Sequence, residues 1–388
     1  MDIRITPGKL SGSLEAIPSK SQAHRYLICA AFAGTETDLI CPDTNADIEA
    51  TAACLNAIGA TIQRTADGYH VVPIADVPDS AELYCRESGS TLRFLLPIVG
   101  ALGVDATFHL EGRLPYRPLS PLWEEMERKG CILTRPTENS IRCQGKLQGG
   151  EYSIDGGISS QFITGLLFAL PLIQNETSLT VTGKLESKPY VTMTQRAIDL
   201  FGQPNTPSPE TIRVEGDWSN GAFFLAAAAL GNPITVNNLD PKSPQGDRAA
   251  SKWIPSLTEH CTIDASDIPD LIPILSVVAG VNKGAVFTNI QRLRIKESDR
   301  VASTIAMLEA LGGKADATEN TLTVYGTGYL GGTVHAAGDH RIAMSAAIAA
   351  TCCAEDVTIL SAEAVNKSYP KFWDEYRRLG GKYEQYLR

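Results

Sequence analysis

One pattern recurs along this chain of 388 residues and limits what it can fold into: an amphipathic helix, a glycine, then a strand-like stretch. The glycine is the residue expected in the left-handed conformation just past a helix end. The pattern occurs at Gly59, Gly130, Gly202, Gly312 and Gly380. Three spacings are 71, 72 and 68 residues (130 − 59, 202 − 130, 380 − 312), and a weaker copy near 253–263 fits the remaining gap. A period of about 70 is too long for a solenoid, so we predict about six α/β subunits.

Composition and charge exclude several classes of protein. The chain is 43% hydrophobic and 20% charged, which is typical of a globular core, and it has no apolar run of about 18 residues. The net charge of −10 argues against nonspecific nucleic-acid binding. The first residues lack the pattern of a signal peptide, and nine cysteines without a CxxC pair fit reduced thiols. We therefore expect a soluble cytoplasmic protein without membrane or nucleic-acid partners.

Basic residues stand at several predicted helix starts, where the helix dipole disfavours cations. One helix is predicted to begin near Ser21, with Lys20 and Arg25 at its first turns. Such placement is explained if an anion occupies the helix end. The same arrangement recurs at Arg93, Arg300 and Arg341, and Arg117 precedes a helix predicted to have Pro118 at its first position.

The anions implied carry phosphate, carboxylate or both, because the planar guanidinium of arginine matches their oxygens. For Arg300 or Arg341 taken alone, the favoured interpretation is an ion pair with the adjacent Asp299 or Asp339. Neither a Walker loop nor a GxGxxG motif is present, so ATP and NAD are not supported. The six histidines lack ligand spacing, and no metal is expected.

A series of short segments, in order along nearly the whole chain, resembles the 5-enolpyruvylshikimate-3-phosphate synthase family. These segments are residues 19–21 with Arg25, 88–93, 117–118, 159–162, 187–190, 214–217, 245–247, 268–270, 294–300, 339–344 and 367–370. The resemblance implies an α/β (α+β) fold: a two-domain inside-out α/β barrel, each domain of three βαβαββ repeats, with the active site in the interdomain cleft.

The resemblance also implies two chain crossings, near Pro18-Ser19 and Gly216-Asp217. One domain is then 19–216 and carries the shikimate-3-phosphate segments. The other combines 1–18 with 217–388 and carries the base, the acid and most phosphoenolpyruvate contacts.

The implied reaction transfers the enolpyruvyl group of phosphoenolpyruvate to the 5-hydroxyl of shikimate 3-phosphate and releases phosphate, in aromatic amino-acid biosynthesis. A monomer without a cofactor is expected, and Gly89 predicts inhibition by glyphosate, because an added methyl at this position excludes that herbicide in relatives.

Site residues follow by matching positions in this sequence. Shikimate 3-phosphate is expected at Lys20, Ser21, Arg25, Ser159, Ser160, Gln161, Ser187, Tyr190, Asp270 and Lys296. Phosphoenolpyruvate is expected at Lys20, Gly89, Arg117, Gln161, Arg300, Arg341 and Lys367. The catalytic residues are expected to be Asp270, Glu297 and Lys20, with Asp270 as base at the hydroxyl. Glu297 matches the acid that protonates C3, and Lys20 and Lys367 are alternative proton donors. Arg93 is family-like with a structural role.

Other interpretations remain open at this point. Without the resemblance, Asp270 is a turn residue and Glu297 a stabiliser of the first helical turn. The sister enzyme transfers enolpyruvate to UDP-N-acetylglucosamine and typically uses a cysteine on the loop that corresponds to residues 112–116, where this chain has none. A noncatalytic anion-binding paralogue is the alternative from another class. The joint presence of Lys20, Asp270, Glu297 and Lys367 argues against it.

Overall fold

The computed structural model describes residues 1–386. They divide into two units: Pro18–Val214, here the inserted unit, and Met1–Ile17 with everything from Glu215 onward, here the split unit. Among residues 1–386, no helix has the length and apolar content needed to cross a membrane.

Twelve α-helices occur in the described chain. They are α1 (Lys20–Ala31), α2 (Ala46–Ala57), α3 (Gly89–Leu102), α4 (Leu122–Arg128), α5 (Ser160–Ala169), α6 (Lys188–Phe201), α7 (Trp218–Ala229), α8 (Ala250–Ser256), α9 (Ile272–Val281), α10 (Arg300–Ala310), α11 (His340–Ala350) and α12 (Phe372–Arg378). Short 3-10 helices cover Leu114–Tyr116, Leu170–Leu172, Gly246–Ala249, Gln291–Ile295 and Ala362–Lys367.

The strands of the described chain number twenty and are short. They are β1 (Asp2–Thr6), β2 (Gly12–Glu15), β3 (Thr37–Ile40), β4 (Thr61–Arg64), β5 (Gly68–Val72), β6 (Ser80–Arg86), β7 (Asp105–Leu110), β8 (Cys131–Thr134), β9 (Ser140–Gly145), β10 (Gly150–Asp155), β11 (Thr177–Thr182), β12 (Thr211–Arg213), β13 (Ile234–Asn237), β14 (Cys261–Asp264), β15 (Ala285–Thr288), β16 (Lys314–Ala317), β17 (Thr321–Tyr325), β18 (Gly332–His335), β19 (Val357–Leu360) and β20 (Lys382–Tyr386).

Four sheets share one strand order, which confirms the repeated α/β architecture. The orders are β6-β7-β9-β8, β12-β3-β5-β4, β14-β15-β17-β16 and β18-β19-β1-β20. In each sheet the first two strands are parallel, and the remaining pairs are antiparallel. A parallel pair needs a crossover, which a helix supplies, whereas an antiparallel pair needs only a short turn. This is the βαβαββ unit, with β12 and β1 completing their sheets from distant parts of the chain.

Two of the six repeats are shorter than that pattern. Their sheets are the parallel pairs β10-β11 and β13-β2, without a following hairpin in the described chain. After α6 and Gly202, residues 203–210 contain three prolines, which cannot donate to a strand ladder. After α8, only residues 257–260 precede β14, too few for a hairpin.

The glycines of the recurring pattern all have the positive φ predicted for them, but Gly202, with ψ −166°, is not in the left-handed helical conformation. Gly59, Gly130, Gly312 and Gly380 follow α2, α4, α10 and α12, each with a positive φ and a strand soon after. Gly202 ends α6 with φ +78° but leads into the proline-rich loop. Helix α8 followed by β14 is the weaker copy predicted near 253–263.

Each unit has its own hydrophobic core. Strands show the alternation of a half-buried sheet: in β6, Ala81, Leu83 and Cys85 are buried, and the residues between them are exposed. Helix α3 of the inserted unit and helices α9 and α11 of the split unit are buried on nearly every face. Because these helices are apolar all round, their polar N-terminal ends are the parts left to carry chemistry.

Candidate active site

In the inserted unit, the start of α1 presents a lysine held by a carboxylate. Ser19 caps the helix, its Oγ accepting from the amide of Gln22 at 3.4 Å. Lys20 Nζ lies 2.8 Å from Asp47 Oδ2 at the start of α2, and both side chains are largely buried. The following Ser21 is partly exposed. Asp47 therefore fixes the orientation of the Lys20 ammonium.

The starts of α3 and α5 are tied to each other by one amide side chain. Gln161 Oε1 accepts from Arg93 Nη1 at 2.9 Å, and Gln161 Nε2 donates to Ser90 Oγ at 3.0 Å. Ser159 caps α5, accepting from the amide of Gln161, and Ser160 is buried beside it. Arg93 also donates to the carbonyl of Pro118 at 3.0 Å. Arg93 thus has the structural role expected of it, joining the loop at 117–118 to both helices.

Gly89, the first residue of α3, lies directly against Arg117. A Cβ on Gly89 would stand 2.7 Å from Arg117 Nη1 and 2.6 Å from Arg93 Nη1. The buried Nε of Arg117 has no hydrogen-bond partner within residues 1–386. A guanidinium N–H with no acceptor among the described residues, beside the start of a helix, suits an anionic ligand.

Arg25 is almost fully buried, and its guanidinium donates hydrogen bonds to protein groups. It is 2% exposed; its Nε donates to Thr194 Oγ1 at 2.9 Å, its Nη1 to the carbonyl of Ser21 at 2.6 Å and its Nη2 to the carbonyl of Tyr190 at 3.0 Å. Burial lowers the pKa of Arg25 to about 10, so it stays charged at neutral pH. These bonds join α1 to α6, whose cap Ser187 is buried with φ +53°. The geometry gives Arg25 a structural role, and its contact to shikimate 3-phosphate stays a prediction.

In the split unit, Arg300 is the centre of an ion-pair network. It is 1% exposed and donates from Nε to Asp339 Oδ2 at 2.7 Å, from Nη1 to Asp270 Oδ1 at 2.6 Å and from Nη2 to Glu297 Oε2 at 2.5 Å. The partner expected from sequence was the adjacent Asp299. That carboxylate instead caps α10, accepting from the amides of Val301 and Ala302. The capping bonds use Asp299 Oδ1, and its Oδ2 lies 3.6 Å from Arg294 Nη1, so Asp299 is engaged by groups other than the Arg300 side chain.

Asp270 lies just before α9 and meets three cations. Its carboxylate contacts Arg300 Nη1 at 2.6 Å, Lys296 Nζ at 3.3 Å and Arg341 Nη2 at 3.3 Å. Burial alone would raise the pKa of Asp270, but Arg341, Lys296 and Arg300 outweigh it and hold the pKa well below its usual range. The same burial lowers the pKa of Lys296 to about 8. Asp270 is therefore an ionised acceptor at neutral pH, and Lys296 is easily deprotonated.

Arg341 and Lys367 complete the set predicted for this unit. Arg341, in the first turn of α11, donates to Ser219 Oγ at 2.7 Å and to the carbonyl of Asp270 at 3.1 Å. Asp339, beside it in sequence, caps α11 and binds Arg300 instead. Lys367 ends the 3-10 helix Ala362–Lys367 and is partly exposed.

Comparison with known proteins identifies the family. The family model for EPSP synthase (3-phosphoshikimate 1-carboxyvinyltransferase) matches residues 5–263 and 255–376. The chain belongs to the EPSP synthase family. A 3-phosphoshikimate 1-carboxyvinyltransferase of Clostridium kluyveri is 36% identical over 419 aligned positions, covering 99% of this chain and 98% of that protein. The protein of the same name from Clostridium perfringens is 38% identical over 414 positions, covering 97% and 98%.

Solved structures confirm the fold class. An EPSP synthase from Acinetobacter baumannii superposes with a TM-score of 0.79 at 22% identity, covering 99% of this chain and all of that one. The enolpyruvyl transferase NikO from Streptomyces tendae gives 0.72 at 16% identity, covering 99% and 98%. The predicted two-domain α/β fold of the EPSP synthase family is thereby confirmed.

Three polar residues near these side chains had no role in the sequence prediction, and a fourth, Asp339, had been predicted to pair with Arg341. Asp47 holds Lys20, Ser219 accepts from Arg341, and Asp339 binds Arg300. Asp247 is buried, and its Oδ1 has no hydrogen-bond partner among the described residues. For Asp247 the only sequence signal was its place in the family-like segment 245–247.

One local prediction was wrong. Pro118 was placed at the first position of a helix, but α4 begins at Leu122, and Arg117 follows the 3-10 helix Leu114–Tyr116 in extended conformation. Pro118 restricts Arg117 to extended backbone, which keeps it out of any helix.

Proposed function

We propose that this chain is a 3-phosphoshikimate 1-carboxyvinyltransferase. It transfers the enolpyruvyl group of phosphoenolpyruvate to the 5-hydroxyl of shikimate 3-phosphate, releases phosphate and serves aromatic amino-acid biosynthesis. The observation that carries the proposal is the Asp270 carboxylate, which is ionised among Lys296, Arg300 and Arg341 in a member of the EPSP synthase family. An isolated anion-binding module needs the cations but has no use for a buried carboxylate among them.

The inserted unit supplies binding groups in this account. Lys20, Gly89, Arg117 and Gln161 receive the phosphate and carboxylate of phosphoenolpyruvate. The unengaged Nε of Arg117 and the Lys20–Asp47 pair support this role, since both offer N–H groups that are already oriented. Residues at the starts of α1, α5 and α6 receive shikimate 3-phosphate: Lys20, Ser21, Arg25, Ser159, Ser160, Gln161, Ser187 and Tyr190.

Asp270 acts as the base in the first step. It accepts the proton of the 5-hydroxyl while that oxygen forms a bond to C2 of phosphoenolpyruvate, and Lys296 holds the hydroxyls of shikimate 3-phosphate. A strongly lowered pKa makes Asp270 a weak base in the free protein. The substrate anions are proposed to draw Arg300 and Arg341 toward themselves, which raises the basicity of Asp270 when it is needed.

Glu297 acts as the acid in the same step and as the base in the next. It gives a proton to C3, and a tetrahedral intermediate forms. It then takes a C3 proton back as the bond from C2 to the phosphate oxygen breaks. The phosphate leaves with the proton that Asp270 had accepted, which restores the Asp270 carboxylate. Arg300 donates to Glu297 at 2.5 Å, an ion pair that favours the carboxylate. The proposed movement of Arg300 toward the substrate anion removes this contact and allows Glu297 to hold a proton. Lys20 and Lys367 remain alternative donors to C3.

Phosphate release with purified protein tests the assignment. Release is expected only when shikimate 3-phosphate and phosphoenolpyruvate are both present, and Asp270→Asn should lower it by at least about 10³-fold, the scale of a lost general base and a disturbed ion network. The matched control is Asp374→Asn, an exposed carboxylate on α12 of the same unit, which should leave the rate unchanged. Full activity of Asp270→Asn would overturn the assigned role, and release with UDP-N-acetylglucosamine instead of shikimate 3-phosphate would overturn the assigned reaction.

We also propose a monomer in the reducing cytoplasm. All nine cysteines are free thiols, as expected where disulfides do not form. The monomer is supported by the family resemblance alone. Light scattering on the eluting protein should give 41.6 kDa, and twice that mass would overturn this part of the proposal.

A further inference from the structure

Four polar side chains of the inserted unit form one continuous hydrogen-bonded chain through its interior. His24 Nδ1 lies 2.7 Å from Thr51 Oγ1, Thr51 Oγ1 lies 2.7 Å from Thr91 Oγ1, and Thr91 Oγ1 lies 2.7 Å from Ser88 Oγ. All four side chains are fully buried. The chain joins α1 to α2 and α2 to the start of α3. We call it the His24–Ser88 chain.

The direction of the His24–Ser88 chain follows from its last bond. The hydroxyl of Thr91 donates to Ser88 Oγ, so it accepts from Thr51, and Thr51 in turn accepts from His24. Nδ1 of His24 therefore carries the hydrogen. Nε2 is left as a bare acceptor, and it has no hydrogen-bond partner within the described residues. Burial lowers the pKa of His24 to about 3, so the imidazole is a neutral, one-way donor.

Both ends of the His24–Ser88 chain lie next to residues that are proposed to bind phosphoenolpyruvate. Ser88 caps α3, accepting from the amide of Thr91 at 3.2 Å, and the next residue is Gly89, packed against Arg117. At the other end, His24 is one helical turn beyond Lys20, whose ammonium is paired with Asp47. The same Thr91 hydroxyl lies 3.4 Å from the backbone carbonyl oxygen of Asp47. The His24–Ser88 chain thus connects Lys20 and Asp47 to Gly89 and Arg117, all of them near or in the proposed anion site.

We propose that His24 is a positioning residue, acting through Thr51 and Thr91 to hold the start of α3 in register with the Lys20–Asp47 pair, and so determines the affinity for phosphoenolpyruvate. This inference rests on the proposed function. Removing a middle member leaves buried hydroxyls without partners, and the helices can satisfy them only by shifting. A small shift at Gly89 moves the backbone and Arg117 relative to Lys20, and anion recognition depends on their spacing.

A pair of variants at one position separates this role from general packing. Thr51→Val keeps the volume and removes the hydroxyl, whereas Thr51→Ser keeps the hydroxyl. Thr51→Val is expected to raise KM for phosphoenolpyruvate by about tenfold, the usual scale for a supporting residue, while KM for shikimate 3-phosphate changes less than about twofold. Thr51→Ser should behave like the wild type. His24→Asn, whose amide replaces the Nδ1 donor, should retain affinity for phosphoenolpyruvate, and His24→Leu should lose it like Thr51→Val.

The control is Thr304→Val in the split unit. Thr304 is also fully buried, but its hydroxyl has no partner within residues 1–386, so both KM values should stay unchanged. Wild-type turnover tests the proposed function separately: if it is absent with both substrates, the reaction assignment fails and this inference fails with it. If the wild type turns over, equal changes of both KM values in Thr51→Val, or failure of His24→Asn to retain affinity, would overturn the positioning role and leave the reaction assignment intact.

Discussion

At the scale of single residues, the protein concentrates opposite charges in a few buried places. Arg300 meets Asp270, Glu297 and Asp339, and Lys296 and Arg341 also contact Asp270. These six groups are three cations and three carboxylates, so the network is balanced without a ligand. An arriving anion must compete with the carboxylates, which explains how binding and proton transfer are coupled in the proposed reaction.

Loss of one buried carboxylate should cost much more than loss of an exposed one. Asp339→Asn removes the fully buried partner of Arg300, which also caps α11, and is expected to lower the free energy of unfolding by about 3 kcal/mol. Asp356→Asn breaks the exposed pair with Arg4 and should cost about 0.5 kcal/mol. Urea unfolding followed by circular dichroism measures both. Similar losses in the two variants would contradict the central place given to Asp339.

Asp247 gives the protein a dependence on pH. Burial, and then the charge of Asp270, raise the pKa of Asp247 from 3.8 to about 6. Between those values the folded state binds more protons than the unfolded state, so this residue's contribution to stability falls as pH rises from 3.8 to 6. Asp247→Asn should therefore be more stable than the wild type at pH 7, by on the order of 2 kcal/mol, and equal to it below about pH 4. Urea unfolding across this range tests it, and a constant difference between the two proteins would rule out the titration.

At Gly89 there is no room for a side chain. A methyl group there would stand 2.7 Å from Arg117 Nη1 and 2.6 Å from Arg93 Nη1, so Gly89→Ala must displace at least one guanidinium. KM for phosphoenolpyruvate is expected to rise by roughly tenfold or more. Gly8→Ala is the control, since its Cβ would meet nothing nearer than 4.0 Å. An unchanged KM in Gly89→Ala would remove Gly89 and Arg117 from the proposed anion site.

Residue-level prediction from sequence succeeded where the signal was local. The start of α1 was predicted near Ser21 and lies at Lys20, because a helix start depends on only the next few residues. The partner of Arg300 was not predicted, because Asp339 and Asp270 are 39 and 30 positions away. The bonds of Arg25 to Thr194 and Tyr190 were not predicted either, because those residues are 169 and 165 positions away.

At the scale of elements, the recurring glycines end helices where no other residue fits well. Gly59 has φ +112°, and a Cβ there would lie 2.3 Å from the carbonyl oxygen of Asp76. Gly380 occupies the same place in its repeat with φ +96°, but its Cβ would meet nothing closer than 3.9 Å. The two positions thus share the backbone requirement and differ in available space.

Substituting alanine at these two glycines should distinguish the cost of a positive φ from the cost of a steric clash. Gly380→Ala is expected to cost about 1 kcal/mol of unfolding free energy, from the left-handed backbone alone. Gly59→Ala should cost roughly 3 kcal/mol, since the backbone of residue 76 must also move. Thermal and urea unfolding compare them directly. Equal losses of unfolding free energy in the two variants would show that the backbone near Gly59 moves aside at little cost.

At the scale of the whole chain, the repeat was visible in the sequence, but the closure of its sheets was not. The glycine spacing predicted six α/β repeats, and six sheets are present within residues 1–386. Strand β1 pairs with β19 and β20, with Ile3 opposite Ile359 and Gln385, and β12 pairs with β3. Such pairings join distant parts of the sequence, and local periodicity carries no information about them. The absence of a hairpin in two of the repeats could not be predicted either, because the glycine spacing is regular in spite of it.

The central claim is that this member of the EPSP synthase family transfers enolpyruvate to shikimate 3-phosphate. A competition experiment tests it most directly: equal amounts of shikimate 3-phosphate and UDP-N-acetylglucosamine are offered with phosphoenolpyruvate, and the products are identified by mass spectrometry. We expect the enolpyruvyl ether of shikimate 3-phosphate, formed in equal amount to the phosphate released and absent with Asp270→Asn. An enolpyruvyl product on UDP-N-acetylglucosamine, or no product on either acceptor, would contradict it.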